Sequence, residues 1–254
     1  MSLIPKSHPR AKSLLIREKL VDGFDKGLVA KEGLLAQGRG EAFDYLLGEK
    51  TGPASKRAIK AAAAQLLLAE TPVISVNGNI AALCPKPIVK LSKQIKAKLE
   101  VNLFYTNEDR KQAIVKILKK NGAGEILGTN LDFSVKLHGI DSARRIVDKN
   151  GIFAADAVVV PLEDGDRTMA LRNAGKTVIT FDLNPLSRTS QTANITIVDN
   201  VTRAVDLLTE EAKKLSKKNQ TSLQKIVNDF DNKKNLSENI IQIKNNLVRR
   251  ARVA

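Results

Sequence analysis

Three carboxylates, Glu163, Asp164 and Asp166, crowd into four residues and run straight into Arg167 and Thr168. Carboxylates packed this way can hold Mg²⁺, a hard cation that keeps several waters and bridges to substrate phosphates. Asp164 and Asp166 are the candidate metal ligands. The competing use is a helix start, where acids meet the positive end of the dipole. The run Asp182-Leu183-Asn184-Pro185-Leu186-Ser187-Arg188-Thr189 offers different chemistry. An acid at a strand end accepts hydrogen bonds from a ribose, and Arg188 with Thr189 presents a guanidinium fork and a hydroxyl to phosphate oxygens. A plain capped turn would instead use Asp182 and Asn184 for backbone donors. Asn77-Gly78-Asn79 supplies uncharged donors for a carboxylate or phosphate, with Gly78 permitting close backbone approach. Lys6, His8 and Arg10 alternate with Pro5 and Pro9 in a stiff cationic segment suited to an anion. Arg17 falls within a helical pattern. Arg39 stands between Gly38 and Gly40, which leave its guanidinium uncovered, and Asp44 and Tyr45 follow in what reads as a lid.

Other chemistries lack their residues. There is no GxxxxGK[ST] loop, and Gly122, Gly124 and Gly128 have the wrong spacing and follow a helix. His8 and His138 are not spaced as metal ligands. Cys84 precedes Pro85 with no base beside it in sequence, which fits packing better than nucleophilic catalysis.

The elements that must position these groups follow from hydropathy. Short apolar runs at 73–76, 101–104, 157–162, 177–181 and 195–198 each end abruptly in polar residues. Such runs mark strands buried on both faces, and ligands in open α/β sheets bind beyond the carboxyl ends of the strands. Helical patterns fall at 10–26, 53–70, 85–97, 108–120, 141–149, 165–174 and 201–216. A glycine-rich connector spans 33–40. The alternation predicts an α/β, Rossmann-like doubly wound mostly parallel sheet with an N-terminal helical region and a C-terminal helical extension. The expected division is an N-terminal helical region at 1–70, a doubly wound α/β core at 71–218 and a basic helical extension at 219–254. In that extension Leu223, Ile226, Val227 and Phe230 form one amphipathic patch and Leu236, Ile240, Ile243 and Leu247 another. Two docked helices are expected there.

The formal charge is +15 over 254 residues. The stretch from Lys213 on holds 11 Lys/Arg against 3 Asp/Glu, so +8 of it sits in the tail and +7 in the body. A moderately basic body suits small phosphorylated anions. A nucleic-acid arm would have to be the tail, whose one aromatic residue, Phe230, makes a poor stacking platform. No apolar stretch is long enough to span a bilayer, no secretion signal is evident, and one cysteine fits a reducing compartment. A cytoplasmic protein with no membrane partner is expected.

The segments IPKSHPR, SLLIREKLVDG, QGRGEAFDYLLGEKT, LLLAETPVISVNGNIAAL, EVNLFY, VVVPLEDGDRT and DLNPLSRTSQTANITIVDNVTRA resemble the archaeal phosphopantothenate synthetases, also called 4-phosphopantoate–β-alanine ligases. The resemblance covers residues 4 to about 215 and leaves the segment after Lys218 outside it. It implies a homodimer with a Rossmann-like core in coenzyme A biosynthesis. The implied reaction condenses 4-phosphopantoate with β-alanine at the expense of ATP, through a phosphopantoyl adenylate, with Mg²⁺, giving 4′-phosphopantothenate, AMP and diphosphate. The family's nucleotide contacts fall on Arg17, Arg39, Asp182, Leu183, Asn184, Arg188, Thr189, Asn200 and Val201. The substrate anion is assigned to Lys6, His8, Arg10, Asn77 and Asn79. The competing readings are an ADP-forming ligase or kinase on the same sheet, and a nucleic-acid binder using the tail.

Overall fold

The computed structural model describes residues 4–5 and 7–253; Lys6 lies outside them. The chain opens with three helices, α1 (Ala11–Asp25), α2 (Lys31–Leu47) and α3 (Pro53–Leu68). Pro53 suits the first turn of α3, where its missing N–H has no helical partner to lose. Ala58, Ala61, Ala62, Ala63 and Ala64 are all buried, and side chains this short let neighbouring elements lie close to α3. The stretch 33–40, expected as a connector and lid, is instead the body of α2. Glycine costs about 1 kcal/mol at each helix-interior position, so local propensity disfavours this helix. Tertiary contact supplies what propensity lacks: Gln37, Glu41, Asp44 and Leu47 are all buried.

Strand β1 (Val73–Val76) then leads through α4 (Gly78–Leu83) and α5 (Pro85–Gln94) to β2 (Lys98–Val101). Helix α6 (Glu108–Lys120), β3 (Ile126–Leu127) and an antiparallel pair, β4 (Ser134–Lys136) with β5 (Ile146–Asp148), follow. The chain continues through β6 (Ala157–Val159), α7 (Gly165–Asn173), β7 (Thr177–Phe181), α8 (Arg188–Thr192), β8 (Ile195–Ile197) and α9 (Val201–Leu215). It closes with α10 (Gln220–Asn228) and α11 (Asn232–Ala251).

Six strands form one sheet in the order β3-β2-β1-β6-β7-β8, with every pairing parallel. Alternate side chains of a strand serve opposite faces. Val159, Ile179 and Phe181 join the larger core with α3, α5 and α9. Val158 and Val178 pack on the other side with Ala170 and Leu171 of α7 and Val147 of β5. Burial on both faces explains the unbroken apolar runs of the sequence.

Three expectations shift. The second strand is 98–101 and not 101–104, so Asn102, Leu103 and Phe104 belong to its exit. The helix expected at 141–149 is a single 3-10 turn, Ala143–Arg145, followed by β5. The edge strand β3 is only two residues long and left no apolar signature.

The last two helices dock on the body. Leu223 of α10 joins the main core, with Ile226, Val227 and Phe230 packed against it. On α11 the expected apolar stripe is only half used: Leu236 is buried and Ile243 packs beside it, whereas Ile240 and Leu247 are exposed. Amides carry the rest of the contact. Thr196 N donates to Asn232 Oδ1 at 2.9 Å and Asn235 Nδ2 donates to Thr196 O at 2.8 Å. Gln242 and Asn246 donate to the carbonyls of Leu47 and Leu46 at 2.8 and 2.9 Å. No helix among the described residues is long and apolar enough to cross a membrane.

Candidate active site

The strand order reverses between β1 and β6, the point at which an open α/β sheet leaves a crevice beyond its carboxyl ends. Two cavities meet there. One, of about 280 Å³, is bordered by Asn77, Leu103, Phe104, Tyr105, Arg110 and Arg144. The other, of about 450 Å³, is bordered by Phe43, Glu163, Asp182, Leu183, Asn184, Arg188 and Thr189. Both share Ala36, Arg39, Asn79, Leu162 and Asp164, so they are lobes of one site with α2 as its roof.

Several of the chosen residues are held by their own hydrogen bonds. Asn77 caps α4, accepting from Ile80 N at 3.1 Å, and its Nδ2 donates to Pro161 O at 2.9 Å, which ties the β1 exit to the β6 exit. Gly78 serves the protein's own backbone: a β-carbon there would lie 2.1 Å from the Leu28 carbonyl oxygen. Leu162, at the seam of the lobes, has φ +53, a left-handed conformation that costs a leucine about 1–2 kcal/mol. Its N–H donates to Phe181 O at 3.2 Å, one of the contacts that hold it there.

In the larger lobe the turn after β7 is rigid. Asp182 accepts from Asn184 N at 2.9 Å and from the Ser187 hydroxyl, and Asn184 Oδ1 accepts from Leu186 N at 2.9 Å. The turn-forming use of Asp182 and Asn184 is therefore real, and the same turn borders the cavity. Burial pushes the Asp182 carboxyl above its usual range, against the pull of Ser187, Asn184 N–H and the Arg39 charge. Thr189 donates its hydroxyl to Glu163 O at 2.7 Å, and Arg188 pairs with Asp166 at the solvent edge. The Arg39 side chain makes no hydrogen bond or ion pair to another described residue and is free to meet a ligand.

Asp164 precedes the first turn of α7, and its half-exposed side chain faces both lobes. Among the described residues no three metal-ligating side chains cluster. A single carboxylate at a crevice would still fit Mg²⁺ beside a phosphorylated ligand, because the ion takes one or two carboxylates and completes its shell with water and phosphate. Asp166, committed to Arg188, lies further out.

Other chosen residues lie elsewhere. Arg17 forms a two-point pair with Glu41, both contacts 2.7 Å, and Arg10 and Tyr45 close on the same carboxylate. The hydrogen bond from Arg17 holds Glu41 below the usual carboxylate range. His8 Nδ1 accepts from Arg10 N at 3.0 Å. Asn200 caps α9 and donates to Asp44 of α2 at 3.0 Å, and Val201 is buried beside it. None of these borders the two lobes.

Sequence patterns missed Arg110 and Arg144 of the smaller lobe. Arg144 reaches the buried side chain of Glu163, a residue of the larger lobe's border, which Arg167, itself buried, also holds. Arg144 was hidden in a stretch that reads as an amphipathic helix. Cys84 is buried, with its thiol pushed up to about 12, as a packing residue would be.

The sequence compares closely with known proteins. The chain is 52% identical over 252 residues to the 4-phosphopantoate--beta-alanine ligase of Thermococcus onnurineus, covering 99% of this chain and 96% of that one. It is 51% identical over 247 residues to the protein of that name from Methanosarcina mazei, covering 97% and 96%. For the same-named protein of Methanospirillum hungatei the figures are 52% over 203 residues, 80% and 82%. The family described as phosphopantothenate/pantothenate synthetase matches residues 54–246. The family match and the alignment to the Thermococcus onnurineus protein run through α10 and most of α11, so the segment after Lys218 is part of the family's chain and not an addition to it. A match this long places the chain in the phosphopantothenate/pantothenate synthetase family.

Proposed function

We propose that this protein is a 4-phosphopantoate–β-alanine ligase that forms 4′-phosphopantothenate, AMP and diphosphate from ATP, with Mg²⁺, in coenzyme A biosynthesis. The observation that carries the reading is the paired cavity at the strand reversal, one lobe beside Asp182-Leu183-Asn184, the other rich in arginine, with Arg39, Asn79 and Asp164 at their seam. It accords with the names of the relatives.

The chemistry needs two anions brought together. A carboxylate oxygen is a poor leaving group, so the acyl group must be activated. The 4-phosphopantoate carboxylate attacks the α-phosphorus of ATP, and the bond to the bridging oxygen breaks as diphosphate departs with its electron pair. The β-alanine amine then attacks the acyl carbon, the carbon–oxygen bond to AMP breaks, and the nitrogen loses its proton to solvent. ATP takes the larger lobe, with Asp182 at the ribose and Arg188 and Thr189 at phosphate oxygens. Arg39, at the seam, neutralises charge where carboxylate and α-phosphate approach. Asp164 would hold a Mg²⁺ that offsets the polyphosphate charge. Positioning and charge neutralisation account for such a reaction without a covalent enzyme intermediate. A cytoplasmic homodimer is the working assembly in this reading.

The test is product analysis with ATP, Mg²⁺, 4-phosphopantoate and β-alanine. AMP and 4′-phosphopantothenate should appear in equal amounts. ADP as the nucleotide product would overturn the adenylate route.

A further inference from the structure

We infer that Arg144 and Arg110 bind the phosphate ester of the acyl substrate, and that Glu163 and Arg167 act as positioning residues that hold Arg144 in place. The inference rests on the ligase reading and adds to it the groups that recognise a phosphorylated substrate.

The structural basis is a buried chain of alternating charge. Arg167, 1% exposed, donates to Ser75 Oγ on β1 at 3.1 Å and to Glu163. The other oxygen of Glu163 meets Arg144, which reaches in from the turn before β5. Two guanidinium groups share one buried carboxylate, and the second carboxylate beside them, Asp164, is half-exposed and meets Arg144 only at 3.7 Å. Donors are also unmet. Among the described residues Arg144 Nε has no hydrogen-bond partner, with the Asp164 carboxylate 3.7 Å off. Arg110 Nε is likewise buried without a partner, while Arg110 Nη1 is spent on Tyr105 O at 3.0 Å. A buried donor left unmet costs about 1–3 kcal/mol, and a buried charge is tolerated when it is paired.

Both Arg110 and Arg144 border the smaller lobe and neither borders the larger. The acyl substrate carries its carboxylate at one end and its phosphate ester at the other. With the carboxylate at the seam beside Arg39, its phosphate falls in the smaller lobe. A phosphate dianion matches two guanidinium groups in charge and accepts from each in paired fashion. The β-alanine carboxylate, a single charge, is the weaker match.

Steady-state kinetics with 4-phosphopantoate and with unphosphorylated pantoate as alternative acyl substrates tests this. Arg144→Ala and Arg110→Ala should each raise KM for 4-phosphopantoate by about 10- to 150-fold, the worth of a hydrogen bond to a charged group. KM for ATP and β-alanine should stay within about twofold, so the preference for the phosphorylated substrate collapses. Glu163→Gln should raise the same KM by a smaller factor than either arginine variant, with KM for pantoate unchanged. Equal effects on both acyl substrates would overturn the inference, as would a rise confined to β-alanine or ATP. If Arg144→Ala does not fold, Arg110→Ala and Arg144→Lys decide by the same preference ratio, and an unchanged ratio in both overturns it. If the unaltered protein makes no 4′-phosphopantothenate, the ligase reading fails first. Calorimetric titration of 4-phosphopantoate into unaltered and Arg144→Ala protein then judges the phosphate site alone, equal affinity counting against it.

Discussion

The side-chain amide of Asn79 donates to the carbonyl of Gly33 at 2.9 Å, and a β-carbon on Gly33 would stand 2.3 Å from the Asn79 Oδ1. The roof helix α2 and the seam of the crevice are thus in direct contact at a residue whose side chain is absent. Alanine is better than glycine in a helix by about 1 kcal/mol, so propensity alone favours Gly33→Ala. Asn79 must turn away to admit the methyl, which breaks its bond to α2. The expected result is a melting temperature within a few degrees of the original and kcat/KM lowered at least about tenfold. Unaltered kinetics would show that Asn79 does not need this geometry.

Arg188→Ala should weaken ATP binding by about 1.5–3 kcal/mol, or roughly 10- to 150-fold. Its guanidinium is 76% exposed and, among the described residues, pairs only with the open Asp166, so thermal stability should scarcely change. Calorimetric ATP titration decides it, and unaltered affinity would make Arg188 a surface residue of the turn.

Glu100, on β2, sits under the turn after β5 and accepts from Asp148 N at 3.1 Å and Ile152 N at 2.6 Å. Burial raises its carboxyl to about 7, the two N–H donors opposing. The folded protein therefore holds a proton there that the unfolded chain releases near the ordinary value of 4.5. Stability from this group is present below about 4.5 and is lost as pH rises to about 7, by at most about 3 kcal/mol. Denaturant titrations of unaltered protein and Glu100→Gln across that window should show the downward slope in the former alone. Parallel pH profiles would refute the assignment.

Asp44 of α2 makes a two-point pair with Arg203 of α9, at 2.7 and 3.0 Å, and also accepts from Asn200. Despite burial, Asp44 and Asp199 hold the Arg203 guanidinium above its ordinary value. Removing one partner of a buried pair costs about 3–5 kcal/mol because the other charge is left uncompensated. Arg203 is partly exposed and keeps Asp199 as a second partner, so Asp44→Ala should cost less, about 1–2 kcal/mol in urea unfolding. A loss below about 0.5 kcal/mol would mean that solvent already shares the pair.

How much of this was legible in the sequence depended on what each residue answers to. Val73–Val76 and Thr177–Phe181 are buried on both faces by the sheet itself, so their apolar runs gave their limits. The second strand was misplaced because Glu100 and Lys98 interrupt its pattern, and Glu100 is a charged residue that the fold buries. Helix α2 was unreadable because three glycines lower its propensity, and of these Gly33 answers to a tertiary contact, Asn79, that sequence does not display. Asp182, Asn184, Arg188 and Thr189 share one turn, and their spacing marked it. Arg110 and Arg144 lie far apart in sequence and share a cavity only after the strands assemble. The docking face of α11 uses asparagine where a search for apolar periodicity looks for leucine.

The amides of Asn232 and Asn235 engage both backbone groups of Thr196, on the outermost strand of the sheet. They occupy the positions that a neighbouring strand would fill. An unprotected edge is a template on which another chain can add a strand, so the terminal helix also acts as a guard against self-association. Chains that lose it through proteolysis or early termination would keep the crevice yet gain an adhesive border, and their fate would depend on concentration as much as on stability.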